Sequence, residues 1–196
     1  MSDLKKISKR LVSDVIERAG LDATSVAMLK PQQAIDEAVK VLAGARRFSD
    51  ALKIVAHALP KRESVWWACT CCRAVTDESS HLDEIAAIQA AEIWVREPSD
   101  KNARAAYTLA EKLGFKTPGG WAAVSAFWSS SSLSPPDQPV VPPAPYLTGV
   151  AVAGAVTLAA VIEPVAKMTD RQERFLSYGL EIAAGGDARK PDGSPR

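Results

Sequence analysis

The chain has 196 residues, 47% apolar and 24% charged, and its 24 basic and 23 acidic side chains leave a net charge of +1. A single domain of this length buries roughly 70% of its unfolded surface, so its core requires neither metal nor disulfides. The near-neutral balance argues against the broad basic face of a nucleic-acid binder.

Helix signals follow one another along the chain. Leu4, Ile7, Leu11, Val15 and Ile16 share one face of a first expected helix, which Gly20 would end in the left-handed conformation. This charged N-terminal stretch has no unbroken apolar run, so it is not expected to be a secretory signal. Pro31 suits the first position of a second helix closed by Gly44. A third follows Ser49 and stops at Leu59, because Pro60 disfavours helical geometry in the residue before it. Pro60 opens a fourth, reaching Glu78, and Ser80 with Asp83 makes a capping box for a fifth that ends near Arg96. Ser99 caps a sixth that Gly114 stops, and Thr117–Pro118 starts a seventh, reaching Ser130. The uncharged run from Tyr146 to Ile162 is an eighth, ended by Pro164. Thr169 with Gln172 begins a ninth, closed by Gly185 and Gly186.

No segment alternates with period two, so the expected fold is all-α: one helical domain over residues 1–184, a bundle or stack of about nine helices. Six prolines make 134–146 an extended segment laid across the helices, and the polar tail 185–196 is expected to be disordered. Tyr146 to Ile162 is about the shortest run that spans a bilayer, but its Ala, Val, Gly and Thr content reads as a buried central helix. Ala56, Leu59, Trp67 and Ala68 recur 54 residues later as Ala110, Leu113, Trp121 and Ala122, which suggests two stacked hairpins. Trp67, Trp94 and Trp121 are expected in the core, Trp66 and Trp128 nearer the surface.

Apolar side chains wrap most of the fourth helix: Val65, Ala68, Cys69 and Cys72 form one stripe, and Trp67, Cys71 and Ala74 the next. Trp66 takes the remaining side, four residues after Arg62 and seven before Arg73, so both arginines are placed to stack on its indole. Glu63, Asp77 and Glu78 are the nearby carboxylates for them. Because Trp and Arg dominate binding hot spots, Arg62, Glu63, Trp66 and Arg73, together with Trp128, are the candidate partner-binding residues.

No catalytic residue, metal ligand or cofactor is expected. Cys69, Cys71 and Cys72 do not all share a helix face, and His57 and His81 lack metal-site spacing to them, so the thiols read as small buried hydrophobes in a reducing cytoplasm. Ser129 to Ser132 lacks a nucleophile-elbow pattern, and Asp77, Glu78, Asp83 and Glu84 suit helix ends. Pro139 to Pro142 fits a PxxP spacing, which is weak by itself.

Three segments, LPKRESVWWACTCCRAV, AEIWVREPSDKNARAAYTLAEKLGFKTPGGWAAVSAFWSSSSLSPP and LTGVAVAGAVTLAAV, resemble an uncharacterised family of bacterial helical proteins that accompany type VI secretion genes; the likeness covers about residues 45–165. Ser129 to Ser132 depart from it, standing where a Ser-Gly-Gly-Ser turn is expected. The resemblance implies a cytoplasmic, non-enzymatic accessory factor: an adaptor or chaperone whose partner is a secreted effector, a spike or an adaptor component. It leaves a homo-oligomer open. The alternatives are an immunity protein masking a toxin, which an acidic face would favour, and an enzyme, which a pocket joining His57 or His81 to a cysteine or carboxylate would favour.

Overall fold

A computed structural model describes residues 4–77, 80–190 and 193–195. Among them are ten α-helices: α1 Ile16–Ala19, α2 Ala23–Ala27, α3 Ile35–Gly44, α4 Phe48–Ala58, α5 Lys61–Arg73, α6 Leu82–Arg96, α7 Asp100–Lys112, α8 Pro118–Phe127, α9 Leu147–Val161 and α10 Met168–Ala183. Short 3₁₀ turns at Val12–Asp14 and Val165–Lys167 complete them, and no strand occurs among the described residues. The protein is all-helical, in one domain.

The local signals decide the middle of the chain. Ser99 Oγ accepts from the Asn102 N–H at 3.2 Å, and Thr117 Oγ1 accepts from the Gly120 N–H at 3.1 Å, so both expected N-caps are in place. Elsewhere tertiary partners override them. The first expected helix breaks into the 3₁₀ turn and four-residue α1, because its amides bond outside their own segment. Lys6 N–H donates to the Ala183 carbonyl, Ser8 N–H to Ala58, Val12 N–H to Gln33 and Ser13 N–H to Pro31. Pro31 therefore lies in a turn, and α3 starts only at Ile35. Helix α6 is capped by His81, whose Nδ1 accepts from the Asp83 N–H, rather than by Ser80. Helix α5 ends at Arg73, short of Glu78, which lies outside the described residues. Helix α8 stops at Phe127, and α10 begins at Met168 behind the 3₁₀ turn, which leaves Thr169 inside its first turn.

Helix α9 occupies the middle, with α4, α5, α8 and α10 packed around it. It carries no charge, and Thr148, Gly149, Ala151, Val152, Ala155, Val156, Ala159 and Ala160 are buried along it. At 15 residues it is about 22 Å long, against a hydrocarbon thickness of ~30 Å. No helix among the described residues is long and apolar enough to cross a membrane. The buried guanidinium of Arg171 on α10 closes the α9 C-terminus by donating to the carbonyls of Ala160, Ile162 and Glu163.

Trp67 is fully buried, and its indole N–H donates to the Phe175 carbonyl of α10 at 2.9 Å. Trp94 is also in the core. Trp121, expected there, is only half-buried; its indole N–H donates to the Phe115 carbonyl, and its ring lies against Gly154 of α9 and edge-on to Trp128. The suggested repeat is not a pair of equivalent hairpins. Helices α7 and α8 pack side by side, whereas α4 packs on α3, α9 and α10 and makes little contact with α5.

The Pro-rich segment is extended only over 139–144; before that it turns back, Gln138 N–H donating to the Pro135 carbonyl, so that Leu133 N–H donates to the Val141 carbonyl and Val141 N–H to Ser132 Oγ. Pro143 is buried, while Val140 and Val141 point outward. The chain after Gly185 departs from the expected disorder: Ala188 is buried and Arg189 is ion-paired, so residues 187–189 form a strap against the helices.

Gly179 marks where α10 comes closest to the core. A Cβ there would sit 2.9 Å from Val55 Cγ1 and 3.0 Å from the Trp67 ring. Gly179→Ala is expected to cost about 1–3 kcal/mol through overpacking, although alanine is the better helix former. Gly44→Ala, at a helical site with nothing within 4 Å, is the matched control and should leave stability equal or higher. Urea unfolding of the two variants checks this.

Candidate functional site

Successive residues on a helix point about 100° apart, so burying Trp67 inward turns Trp66 toward the rim of α5. There it meets α6 and the strap. Glu92 is the only charged residue in the stretch from Ile85 to Val95 of α6, where Gln89 is the one other polar side chain, and it is 5% exposed. Arg73 holds it with two prongs, Nε to Oε1 at 3.2 Å and Nη2 to Oε2 at 2.9 Å. Arg189 adds a second guanidinium, Nη2 to Oε1 at 2.8 Å, whose carbon stands 4.1 Å from the centroid of the Trp66 ring. The Trp66 indole N–H donates to the Asp187 carbonyl at 2.9 Å. An aromatic face and a buried carboxylate thus grip one arginine between them, and the backbone two residues before it is bonded as well.

Burial pushes the Glu92 carboxyl up, but the hydrogen bonds and charge of Arg73, then those of Arg189, outweigh it and hold the group below the usual carboxylate range. Such a cluster contributes little net stability when intact and is expensive to break, since an unmatched buried charge remains.

The candidate residues separate in the structure. Trp66 and Arg73 come together at this site. Arg62 turns away from the indole and donates from Nε to the Val95 carbonyl near the end of α6, and Glu63 lies 3.9 Å from Lys6 Nζ. The expected stacking of Arg62 and Arg73 on Trp66 is therefore replaced by Arg189, and the carboxylate of Arg73 is Glu92, not Glu63 or Asp77. Trp128 ends α8 elsewhere, beside a shallow cleft of about 450 Å³ with Arg104, Tyr107 and Phe127. Glu92 was detectable as the one carboxylate of α6 beyond its first turn; nothing in the composition of the tail singled out Arg189.

His57 forms a second region. A Cβ on Gly149 of α9 would lie 2.5 Å from its Nδ1, so the imidazole rests directly on that backbone. The ring borders two clefts, one of about 530 Å³ with Lys9, Asp14, Arg18, Lys61 and Tyr146, the other of about 480 Å³ with Arg18, Lys53 and Trp121. Burial lowers the His57 pKa to about 4, leaving a neutral ring at pH 7. Asp14 already accepts from the Leu11 N–H at 3.1 Å. The three thiols are buried in α5, and desolvation pushes each of them well up. Among the described residues no group of three or more His, Cys, Asp and Glu is placed to hold a metal.

These features define an all-helical protein with a guanidinium-gripping site at one rim and a neutral histidine between two clefts. The chain belongs to a family of unknown function, DUF6931, whose profile matches residues 38–183. Comparison with curated proteins and with solved structures gives no match. The match includes Trp66, Arg73 and Glu92 and stops before Asp187 and Arg189.

Glu92→Gln keeps the shape and removes the charge, and should lower stability by about 3 kcal/mol in urea unfolding. His57 binds a proton near pH 4 when folded and near 6.5 when unfolded. Between those values the unfolded chain holds more protons, so this share of stability is complete above 6.5 and lost as the pH falls toward 4. In His57→Gln that share of the pH dependence disappears, so the melting temperatures of variant and native protein should move in the variant's favour between pH 7 and pH 4.5.

Proposed function

We propose that this protein is a non-enzymatic protein-binding accessory factor whose binding face is built by Trp66, Arg73 and Glu92. One observation carries the reading: this site already holds a turn of the chain's own C-terminal segment, through an indole face, a buried carboxylate and a backbone hydrogen bond. Those are the means by which proteins take hold of one another's chains. The likeness to proteins that accompany type VI secretion genes supports a finer reading, an adaptor or chaperone in the cytoplasm for a secreted effector, a spike or an adaptor component. A second reading, an enzyme or small-ligand binder, draws support from the cleft that places His57 and Asp14 in one lining.

Affinity purification of the tagged full chain from its own host tests the first reading. The native chain should recover an effector, spike or adaptor component, and Trp66→Ala should recover about tenfold less, the loss of a typical hot-spot residue. Recovery of no such component, or equal recovery by a folded Trp66→Ala variant, overturns it. Loss of biological activity in His57→Gln with capture unchanged would move the assignment to the cleft.

A further inference from the structure

We infer that the strap is an internal stand-in for the partner: the site takes a turn-forming segment with an arginine directly after a small residue, which enters by displacing residues 187–189. The inference rests on the protein-binding reading of the same face and names what that face selects.

The selectivity follows from how Arg189 is held. A planar guanidinium stacks flat on an indole while its fork reaches a carboxylate; a lysine ammonium has neither the plane nor the fork. Only a small side chain fits at the preceding position, because Ala188 is fully buried there. Its backbone also has φ +56°, which disfavours branched and bulky residues and is easiest for glycine. One residue earlier, Trp66 takes the Asp187 carbonyl, while the Asp187 carboxylate accepts from the Arg189 N–H at 3.0 Å and closes the turn. The segment is thus defined by Asp, whose carbonyl meets Trp66 and whose carboxylate closes the turn, then Ala or Gly, then Arg.

Release of the strap is physically reasonable for three reasons. First, its neighbours Gly185, Gly186 and Lys190 are exposed, while the Asp187 carbonyl, the Ala188 methyl and the Arg189 guanidinium meet the helices and Arg189 bridges forward to Pro195 within the tail. Second, when Arg189 leaves, Glu92 keeps both hydrogen bonds from Arg73, so no unmatched charge is left buried. Third, the family match contains the site and ends at residue 183, before the strap begins.

The test uses the full chain carrying Arg189→Ala, which empties the site without shortening the protein, and an acetylated peptide of sequence GGDARKPDGSPR followed by calorimetry. The variant should bind one peptide, about tenfold more tightly than the native chain, whose own strap competes. Replacing the peptide's arginine by lysine or alanine should cost about tenfold or more, and Trp66→Ala in the variant should abolish binding. The inference is overturned if the folded variant binds no better than the native chain, or binds the alanine peptide equally. Unfolding of Arg189→Ala would also sink it, because a strap that folding requires cannot be released. A native chain that is dimeric and becomes monomeric in Arg189→Ala would assign the site to a second copy instead of a partner. If the peptide fails while Trp66→Ala still removes captured secretion components, the protein-binding reading stands and only the arginine-segment inference falls.

Discussion

The close packing of the uncharged helix α9 against four neighbours is the constraint on which the rest of the molecule depends. Its Ala, Gly and Thr residues let the other helices approach nearly to backbone contact, as at Gly149 beneath His57 and Gly154 beside Trp121. Such a helix has little side-chain volume of its own, so the large core side chains come from around it, among them Trp67, Phe175, Leu42 and Leu52. The orphan carbonyls at its C-terminus are satisfied by Arg171 from α10. A charged residue on the buried face of α9, at Ala155 or Ala159, would be taken out of water among apolar neighbours.

Helix α5 couples this core to the rim. Trp67 is locked by the close passage of α10 at Gly179 and by its hydrogen bond to the Phe175 carbonyl. With that rotation of the helix set, Trp66 and Arg73 have no choice but to face α6 and the strap. The three cysteines serve the same purpose, Cys69 against Ile88 of α6 and the other two on further faces of the helix. They are compact apolar groups that let α5 sit deep, and their burial keeps them as thiols rather than thiolates. The rim site is therefore held by a rigid element, as selective recognition requires.

The two polar regions differ in character. At the rim, charges are matched and already occupied by a segment of the chain itself. At His57 the imidazole is stripped of solvent on one side and kept neutral, between clefts whose charged lining is mainly basic. The first arrangement suits the recognition of another chain and the second a smaller ligand; the fold keeps them on different helices.

The amino-acid sequence by itself determined the helical class, the starts of α7 and α8 and the burial of α9, because caps, prolines and apolar periodicity act within a few residues of one another. It also marked α5 as central and Trp66 as its outward-facing tryptophan. The tertiary structure alone decided the N-terminal region, where amides of residues 6–13 bond to carbonyls of α4, α10 and the turn before α3 instead of closing a helix. It alone decided the partners at the rim. Arg73 and Glu92 lie 19 residues apart and Trp66 and Asp187 lie 121 apart, so no local pattern could pair them. Charged groups and indoles carry no directional signal along the chain; what they bind depends on which surfaces the packing of α9 brings together.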